Sequence, residues 1–221
     1  KLQEIIDNNP AKTAIVVGDG VSYEFAQDII EKVSKEYTLS KEHQYIFAGL
    51  PSETEHNMSQ LYIDTGNVVK DKQDREAYLL KQNKDKSIGF IDLEKVNETS
   101  DKEHYLICSY KDPDKLGETY QHKALKYFDL VAGIFATKIE QLFKNGYQNV
   151  YLVTDHGFVL TGILDNSDKI EVDFKGNVKI SERFIRSENK QKIDTNLLIE
   201  KEVVYNNFNY SYFAKRLGPF K

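Results

Sequence analysis

Near its N-terminus the chain carries Thr13-Ala14-Ile15-Val16-Val17, a short apolar run that ends in Gly18-Asp19-Gly20. An unbroken run of mostly β-branched residues is typical of a strand buried on both faces, and the two glycines indicate a tight turn after it. Apolar residues at helical spacing follow from Ser22 to Lys35, which predicts a helix. A strand, a turn and a helix in succession indicate an α/β fold, with Asp19 at the carboxyl end of the first strand.

Strands and helices are predicted to alternate along the rest of the first 160 or so residues. The predicted strands are 45–48, 104–110 and 149–153, and the predicted helices are 55–62 and 120–145. Residues 111–118 are rich in turn formers and are predicted to form a loop. Alternation of this kind favours a mostly parallel sheet with helices on both faces.

Two segments depart from this alternation. Residues 65–102 are polar and rich in Lys and Asp, and we expect them to form an insertion over one edge of the core. Within this insertion a helix is predicted near 75–81 and a short strand at 87–91. Beyond residue 158 the pattern changes to short strands of alternating polarity, which favours β-hairpins. These strands are predicted at 169–174, 177–186 and 198–205, with turn residues at 175–177.

Length and composition restrict the class of protein. A chain of 221 residues can bury a sizeable core, and its 30 basic and 35 acidic side chains give a net charge of −5. This balance argues against a protein whose whole surface coats nucleic acid, because such binding depends on concentrated Lys and Arg. It leaves room for a local cleft that binds a nucleic acid or another phosphate ester.

The sequence has no pattern typical of an exported or membrane-spanning protein. Its single cysteine, Cys108, cannot form an internal disulfide, and no apolar run approaches the roughly 20 residues of a transmembrane helix. We therefore expect a cytoplasmic protein that does not contact a membrane. The chain begins at Lys1 rather than Met and stops in a polar segment at Lys221. We expect it to be a piece of a longer protein, with residues 1–221 forming a single domain.

Several polar residues fall at the ends of predicted strands, where parallel α/β sheets bind their ligands. Carboxylates, a hydroxyl group and an imidazole that meet at one edge of a sheet are ligands suited to a divalent metal such as zinc or manganese. The candidate residues are Asp19, Thr54, Asp112, Asp114, Glu118, Asp155 and His156.

Each candidate also has a structural interpretation. An Asp-Gly pair after a strand is usually a turn, and Thr54 is equally suited to be the N-cap of a helix. Acidic residues in a loop are commonly no more than solvated charges. Asp155-His156-Gly157 is the hardest to explain by packing, because it follows directly on an apolar strand. Arg183 and Arg186 could bind phosphate, although such residues are more often solvated charges on a strand.

Four short motifs in series resemble those of the alkaline phosphatase superfamily. They are Val17-Gly18-Asp19-Gly20-Val21-Ser22, Leu50-Pro51-Ser52-Glu53-Thr54, Asp114-Lys115-Leu116-Gly117-Glu118 and Thr154-Asp155-His156-Gly157. In that superfamily an Asp follows the first strand and a Ser or Thr nucleophile opens a helix. An Asp-x-x-Gly-His-like loop comes next, and Asp-His-Gly follows a late strand. The order, spacing and placement agree over roughly residues 12–160.

Within the superfamily the chain resembles most the PglZ domain, known from bacterial phage-exclusion (BREX) systems and from response-regulator proteins. Its tail, residues 212–219, also resembles the segment that leads into the His-Gly-Gly motif of that family. The resemblance therefore implies an alkaline-phosphatase-like α/β fold for this chain.

The resemblance also implies a set of metal ligands. One divalent ion, with zinc expected and manganese as the alternative, would be held by Asp19, Thr54, Asp155 and His156. A second ion would be bound by Asp114, or by Asp112 in its place. Glu118 stands at the position where many members of the superfamily have a His ligand of this ion. A further His of the second site would lie beyond Lys221, and the second site would then be incomplete in this chain.

The implied activity is metal-dependent hydrolysis of a phosphate ester, of the phosphodiesterase or nuclease kind, in an antiphage defence system. Thr54 would be the nucleophile. The substrate could be a nucleic acid, a cyclic oligonucleotide or a small diester, and other subunits of the defence system would be partners. The alternative is a structural or regulatory subunit without turnover, whose metal site is degenerate. Glu118 in place of His and the surface-rich segment 65–102 favour this alternative.

Overall fold

The structure of the chain, a computed structural model, describes residues 1–33, 37–40, 49–120, 124–158, 168–215 and 219–220. For Asp112, Glu118, Leu125 and Tyr205 it describes the backbone alone. The helices are α1 Leu2–Asn8, α2 Tyr23–Lys32, α3 Thr54–Tyr62, α4 Lys72–Gln82, α5 Asp112–Tyr120 and α6 Leu125–Lys144. The strands are β1 Thr13–Gly18, β2 Ile88–Asp92, β3 Tyr105–Tyr110, β4 Asn149–Thr154, β5 Val178–Ile180, β6 Ile185–Ser187, β7 Leu198–Tyr205 and β8 Phe208–Ala214. A short 3₁₀ helix occupies Leu93–Lys95.

Contacts divide the chain into two compact units. The first comprises residues 1–49 and 53–158, and the second comprises residues 50–52 and 159–221. That residues 1–221 form a single domain stays a prediction. None of the helices in the described ranges has both the length and the apolarity that crossing a membrane requires.

A parallel sheet lies at the centre of the first unit. Within the described residues it has four strands in the order β2-β3-β1-β4, and Thr13 of β1 pairs with Tyr105 on one side and Asn149 on the other. Every residue of β1 is buried. Burial of an Ile or Val contributes about 1.5–3 kcal/mol, whereas fixing the backbone of one residue costs about 1–2 kcal/mol. The unbroken apolar run is therefore what lets β1 occupy the middle of the sheet. The strand predicted at 45–48 lies outside the described residues.

Helices cover both faces of this sheet. Ile15 of β1 belongs to a buried cluster on one face, to which α1, α3 and α4 contribute Leu2, Ile6, Met58, Tyr62 and Leu79. On the other face Phe135 of α6 meets the ring of Tyr110 edge-on, with 5.0 Å between the ring centroids. Phe135 also packs against Phe25 of α2, at a centroid distance of 6.2 Å. The mixed α/β architecture predicted from the alternation of elements is confirmed.

The segment 65–102 supplies an edge of the sheet itself. It contains α4 and β2, and β2 pairs in parallel with β3 from Ile88 to Asp92. The helix and the short strand predicted here are therefore present, with slightly different bounds. That the segment is an insertion relative to other proteins stays a prediction.

Residues 111–118 were predicted as a loop, and this prediction is wrong. Residues 112–118 lie in α5, which runs from Asp112 to Tyr120. Pro113 is the second residue of this helix, a position in the first turn where proline is tolerated because its missing N–H would have no partner within the helix. The helix predicted at 120–145 begins later, at Leu125, and ends at Lys144.

The second unit contains an antiparallel sheet in the order β5-β6-β8-β7. The strand predicted at 198–205 is confirmed as β7. The strand predicted at 177–186 is wrong as a single element, because residues 181–184 form a turn between β5 and β6 in which Phe184 N–H donates to Ser181 Oγ at 3.2 Å. In the predicted strand 169–174, the pairing seen among the described residues is one bridge, from Ile170 to Phe220.

Candidate metal site

Asp19 is fixed where β1 ends. Its N–H donates to the carbonyl oxygen of Tyr110 at 2.9 Å, which continues the β1–β3 pairing by one residue. The next residue, Gly20, has a φ of 71°, a backbone conformation that glycine adopts without the steric penalty of a side chain. The turn directs the chain away from the sheet and leaves Asp19 at its edge, as the sequence predicted.

The loop after β4 is tied to the loop after β1. Thr154 Oγ1 donates to the carbonyl oxygen of His156 at 2.8 Å and accepts from Val21 N–H at 3.1 Å. Gly20 N–H donates to Asp155 Oδ1 at 3.2 Å. These three hydrogen bonds hold Asp155 and His156 against the turn that carries Asp19.

The imidazole of His156 faces the two carboxylates with its Nε2 atom. Its Nδ1 lies 2.9 Å from the carbonyl oxygen of Gly157, and because a carbonyl can only accept, Nδ1 carries the proton. Nε2 then faces Asp155 Oδ2 at 3.3 Å and Asp19 Oδ1 at 3.8 Å. One ligand atom from each of these three residues lies within 4.8 Å of the other two. We call Asp19, Asp155 and His156 the acidic triad.

Thr54 brings a hydroxyl group to the acidic triad. Its Oγ1 lies 3.1 Å from His156 Nε2 and donates to Asp19 Oδ1 at 3.3 Å. Thr54 is the first residue of α3, and Glu53 occupies the N-cap position. The interpretation of Thr54 as an N-cap is therefore wrong by one residue, and its hydroxyl group is directed to the acidic triad.

Burial shapes the electrostatics of the acidic triad. Its members are 8%, 7% and 3% exposed in chain order. Burial raises the pKa of Asp19 to about 7, and repulsion from Asp155 and Asp114 adds to this shift, while His156 and the Thr54 hydroxyl oppose it. Burial also raises the pKa of Asp155, against the opposing effects of His156 and of the Gly20 N–H. Both shifts show that the site disfavours two carboxylate charges in the absence of a cation.

The donor set fits a divalent cation. Asp155 Oδ2 is buried and has no hydrogen-bond partner among the described residues, an arrangement that is unfavourable unless a cation or a donor is supplied. Two carboxylate oxygens and an imidazole nitrogen are ligands typical of zinc, and manganese accepts them as well.

Asp114 lies next to the acidic triad but not within it. Its N–H donates to the carbonyl oxygen of Asp19 at 3.2 Å, and a methyl group built on Gly20 would lie 2.9 Å from Asp114 Cβ. Glu118 follows Asp114 by four residues on α5, so the two share one face of this helix. The side chains of Asp112 and Glu118 lie outside the described residues. A second metal held by these residues therefore stays a prediction.

A cleft of about 560 Å³ opens beside the acidic triad in the first unit. We call it the basic cleft because its lining includes, besides Asp19 and Thr54, the cations Lys70, Lys72, Arg75 and Lys111. None of these four cations was predicted to belong to a site. A Lys- and Arg-rich segment such as 70–75 looks the same in sequence whether it lines a cleft or an exposed face.

The two arginines considered as phosphate ligands lie in the second unit. Arg183 is exposed and donates from Nη1 to the carbonyl oxygen of Ser52 at 3.0 Å. Arg186 is only 1% exposed, with its guanidinium 4.7 Å from the ring centroid of Phe184. The interpretation of Arg186 as a solvated strand charge is therefore wrong.

A comparison with protein families identifies a match to the first part of the chain. The family model described as the BREX system PglZ alkaline phosphatase-like domain matches residues 1–127 of the 221. The matched region includes Asp19, Thr54 and Asp114 and ends before Asp155. No curated protein matches the chain. Because the family match covers more than half of the sequence, the chain belongs to the PglZ family, the alkaline phosphatase-like domain of BREX systems.

Proposed function

We propose that this chain is a divalent-metal-dependent hydrolase of phosphate esters that acts in BREX antiphage defence. Thr54 is the nucleophile, and Asp19, Asp155 and His156 hold the metal. The observation that carries the proposal is the position of Thr54 Oγ1, 3.1 Å from His156 Nε2 and 3.3 Å from Asp19 Oδ1. The family supports the reaction class and implies further subunits of the BREX system as partners.

The metal would be held by the acidic triad, and zinc suits its mixture of nitrogen and oxygen ligands best. When bound, a divalent ion supplies Lewis-acid polarisation and neutralises negative charge at the reacting phosphate. Asp114 and Glu118 remain the proposed ligands of a second ion.

Thr54 carries out the displacement. Asp19 Oδ1 is within reach of the Thr54 hydroxyl proton and would accept it as the bond from Thr54 Oγ1 to phosphorus forms. The bond to the leaving oxygen breaks in the same step, and that oxygen departs as an alcohol when it takes this proton, which restores the Asp19 carboxylate. The N–H groups of the first turn of α3 face the anionic oxygens of the phosphate. Water then cleaves the phosphothreonine, which releases the phosphate and restores the hydroxyl group.

A phosphodiester is the proposed substrate. The lining of the basic cleft includes Thr54, and the cleft volume of about 560 Å³ is within the range of pockets for small organic ligands. It therefore has room for a second substituent on the phosphate, and its cations favour a substrate that carries further negative charge.

Hydrolysis of bis-p-nitrophenyl phosphate with zinc or manganese tests the proposal. We expect Thr54→Ala to lower kcat by about 100-fold or more, because it removes the nucleophile, and Thr54→Ser to retain much of the activity because it keeps a hydroxyl group. Equal rates for the wild type and Thr54→Ala would remove Thr54 from the mechanism. Absence of bound metal by elemental analysis, together with no thermal shift on adding either metal, would favour the non-catalytic subunit instead.

A further inference from the structure

Arg75 is a buried cation whose charge is not balanced by a carboxylate of the described chain. It lies on α4 and is 7% exposed. Its Nη1 donates to the carbonyl oxygens of Val69 and Lys70 at 2.8 and 2.6 Å, whereas its Nε has no hydrogen-bond partner among the described residues. Burial of a charge is strongly unfavourable unless it is paired. Two neutral carbonyl groups only partly satisfy a guanidinium group, which has five N–H donors.

The neighbouring cations differ from Arg75 because carboxylates lie near them. Lys72 Nζ donates to Ser109 Oγ at 2.7 Å and lies 3.5 Å from carboxylate oxygens of both Glu76 and Asp92. Lys70 lies 3.8 Å from Glu55. Lys70 and Lys72 therefore have carboxylates nearby, whereas no carboxylate of the described chain pairs with Arg75. A negatively charged ligand in the basic cleft would supply the counter-ion for this buried charge.

The charges that line the basic cleft favour an anion. Four cations, Lys70, Lys72, Arg75 and Lys111, stand against the three carboxylates Asp19, Glu55 and Asp71. Under the proposed function Asp19 is a metal ligand, so the metal ion would compensate its negative charge. Because Lys70 and Lys72 have carboxylates near them, the positive charge that remains in the cleft belongs to Arg75 and to the exposed Lys111.

We propose that Arg75 binds a second phosphate group of the substrate, in addition to the phosphate attacked by Thr54. The substrate is then a nucleotide or oligonucleotide in which the cleaved ester is followed by another phosphate. The planar guanidinium group binds two phosphate oxygens at once, which favours phosphate over a simple point charge. This inference rests on the proposed function for the position of the first phosphate.

Two matched substrates test this inference in the zinc-loaded chain. They are the p-nitrophenyl ester of thymidine 5′-phosphate and the same ester with an added 3′-phosphate. We expect the added phosphate to raise kcat/KM by about 10-fold or more, as a charge-assisted contact should. In Arg75→Gln, the ratio of the kcat/KM values of the two substrates should fall to near one. Lys81→Gln, an exposed position on the same helix that does not line the basic cleft, should keep the wild-type ratio. An unchanged ratio in folded Arg75→Gln would overturn the proposal.

A binding measurement separates this inference from the hydrolase. We expect calorimetry with zinc present to show tighter binding of thymidine 3′,5′-bisphosphate than of thymidine 5′-monophosphate. Equal affinity of the wild type for the two would overturn the second-phosphate site, even if Arg75→Gln fails to fold. Retained preference for the bisphosphate without turnover of either ester would contradict the hydrolase and support the site.

Discussion

The two oxygens of the Asp155 carboxylate have different surroundings. Oδ1 accepts the N–H of Gly20 at 3.2 Å, whereas Oδ2 is buried without a hydrogen-bond partner among the described residues and lies 3.3 Å from His156 Nε2. When the imidazole is neutral with its proton on Nδ1, Oδ2 and Nε2 are two acceptors that face each other and repel. Such an arrangement is typical of a site whose residues are kept for binding rather than for the stability of the empty fold.

Asp155→Asn should stabilise the metal-free chain and abolish its response to metal. The amide oxygen of Asn can still accept from Gly20, and its NH₂ group can donate to His156 Nε2, so a repulsive contact becomes a hydrogen bond worth about 1 kcal/mol. We expect a higher Tm than the wild type in a chelator and no further rise with zinc. Asp85→Asn, at an exposed position, is the control. A zinc shift of wild-type size in Asp155→Asn would remove Asp155 from the ligand set.

Gly20 combines a positive φ with close contact to α5. Ala at this position has the left-handed penalty of about 1–2 kcal/mol, and its Cβ would also lie 2.9 Å from Asp114 Cβ. Gly66 also has a positive φ, of 78°, but no atom of the described residues lies within 4 Å of the place that an alanine Cβ would take, so Gly66→Ala has the backbone penalty alone. We expect Gly20→Ala to lower the free energy of unfolding, measured in urea, more than Gly66→Ala does. If the two variants lose equal amounts of unfolding free energy, α5 can move away from the alanine side chain at no energetic cost.

At the scale of elements, the sequence predicted the strands and helices that have a strong apolar pattern. β1, β3 and β4 carry apolar runs, and the helices at 55–62 and 120–145 carry apolar faces. Each was predicted to within a few residues, because burial against a sheet selects these patterns directly.

The errors arose where a local signal supports two structures. Asp112-Pro113-Asp114 is typical of a turn, yet proline also begins helices, and contact with the β1 turn favours α5. The strand β8 was not predicted at all. Its signal is the pair Asn206-Asn207 between β7 and β8, where Asn206 has a φ of 54°, a conformation that Asn tolerates in hairpin turns.

Phe135 shows what joins α6 to the sheet. Its ring is fully buried and contacts Tyr110 and Phe25. We expect Phe135→Ala to lower the free energy of unfolding by about 3–5 kcal/mol. Leu130→Ala, on the same helix but 64% exposed, should change it by less than about 0.5 kcal/mol. Denaturant unfolding checks both, and similar values would mean that α6 contributes little to the core.

The sequence predicted which strand ends approach each other but not which cations line the cleft. Asp19 and Asp155 follow β1 and β4, which are neighbours and parallel, so their convergence follows from sheet topology. Arg75 belongs to the cleft through the packing of α4, for which its sequence carries no separate signal.

The stability of the metal-free chain should fall as pH rises, and the stabilising effect of zinc should increase over the same interval. The pKa of Asp19 is about 7 in the folded state and about 3.9 in an unfolded chain, so between these values the folded state binds more protons. Without metal, stability is therefore greatest below about pH 4 for this group and is lost as pH rises to about 7, by at most about 1.4 kcal/mol per pH unit.

Zinc requires the deprotonated carboxylates, so its stabilising effect should increase over the same interval. We expect the difference in Tm between zinc-loaded and chelator-treated chain to widen from about pH 5 to about pH 7 and then level off. Asp19→Asn should flatten the pH dependence of the metal-free chain, which separates Asp19 from other groups that titrate in this range. A difference in Tm that does not change with pH would mean that zinc binds somewhere other than the acidic triad, because only ligands that lose protons in this interval make the binding depend on it.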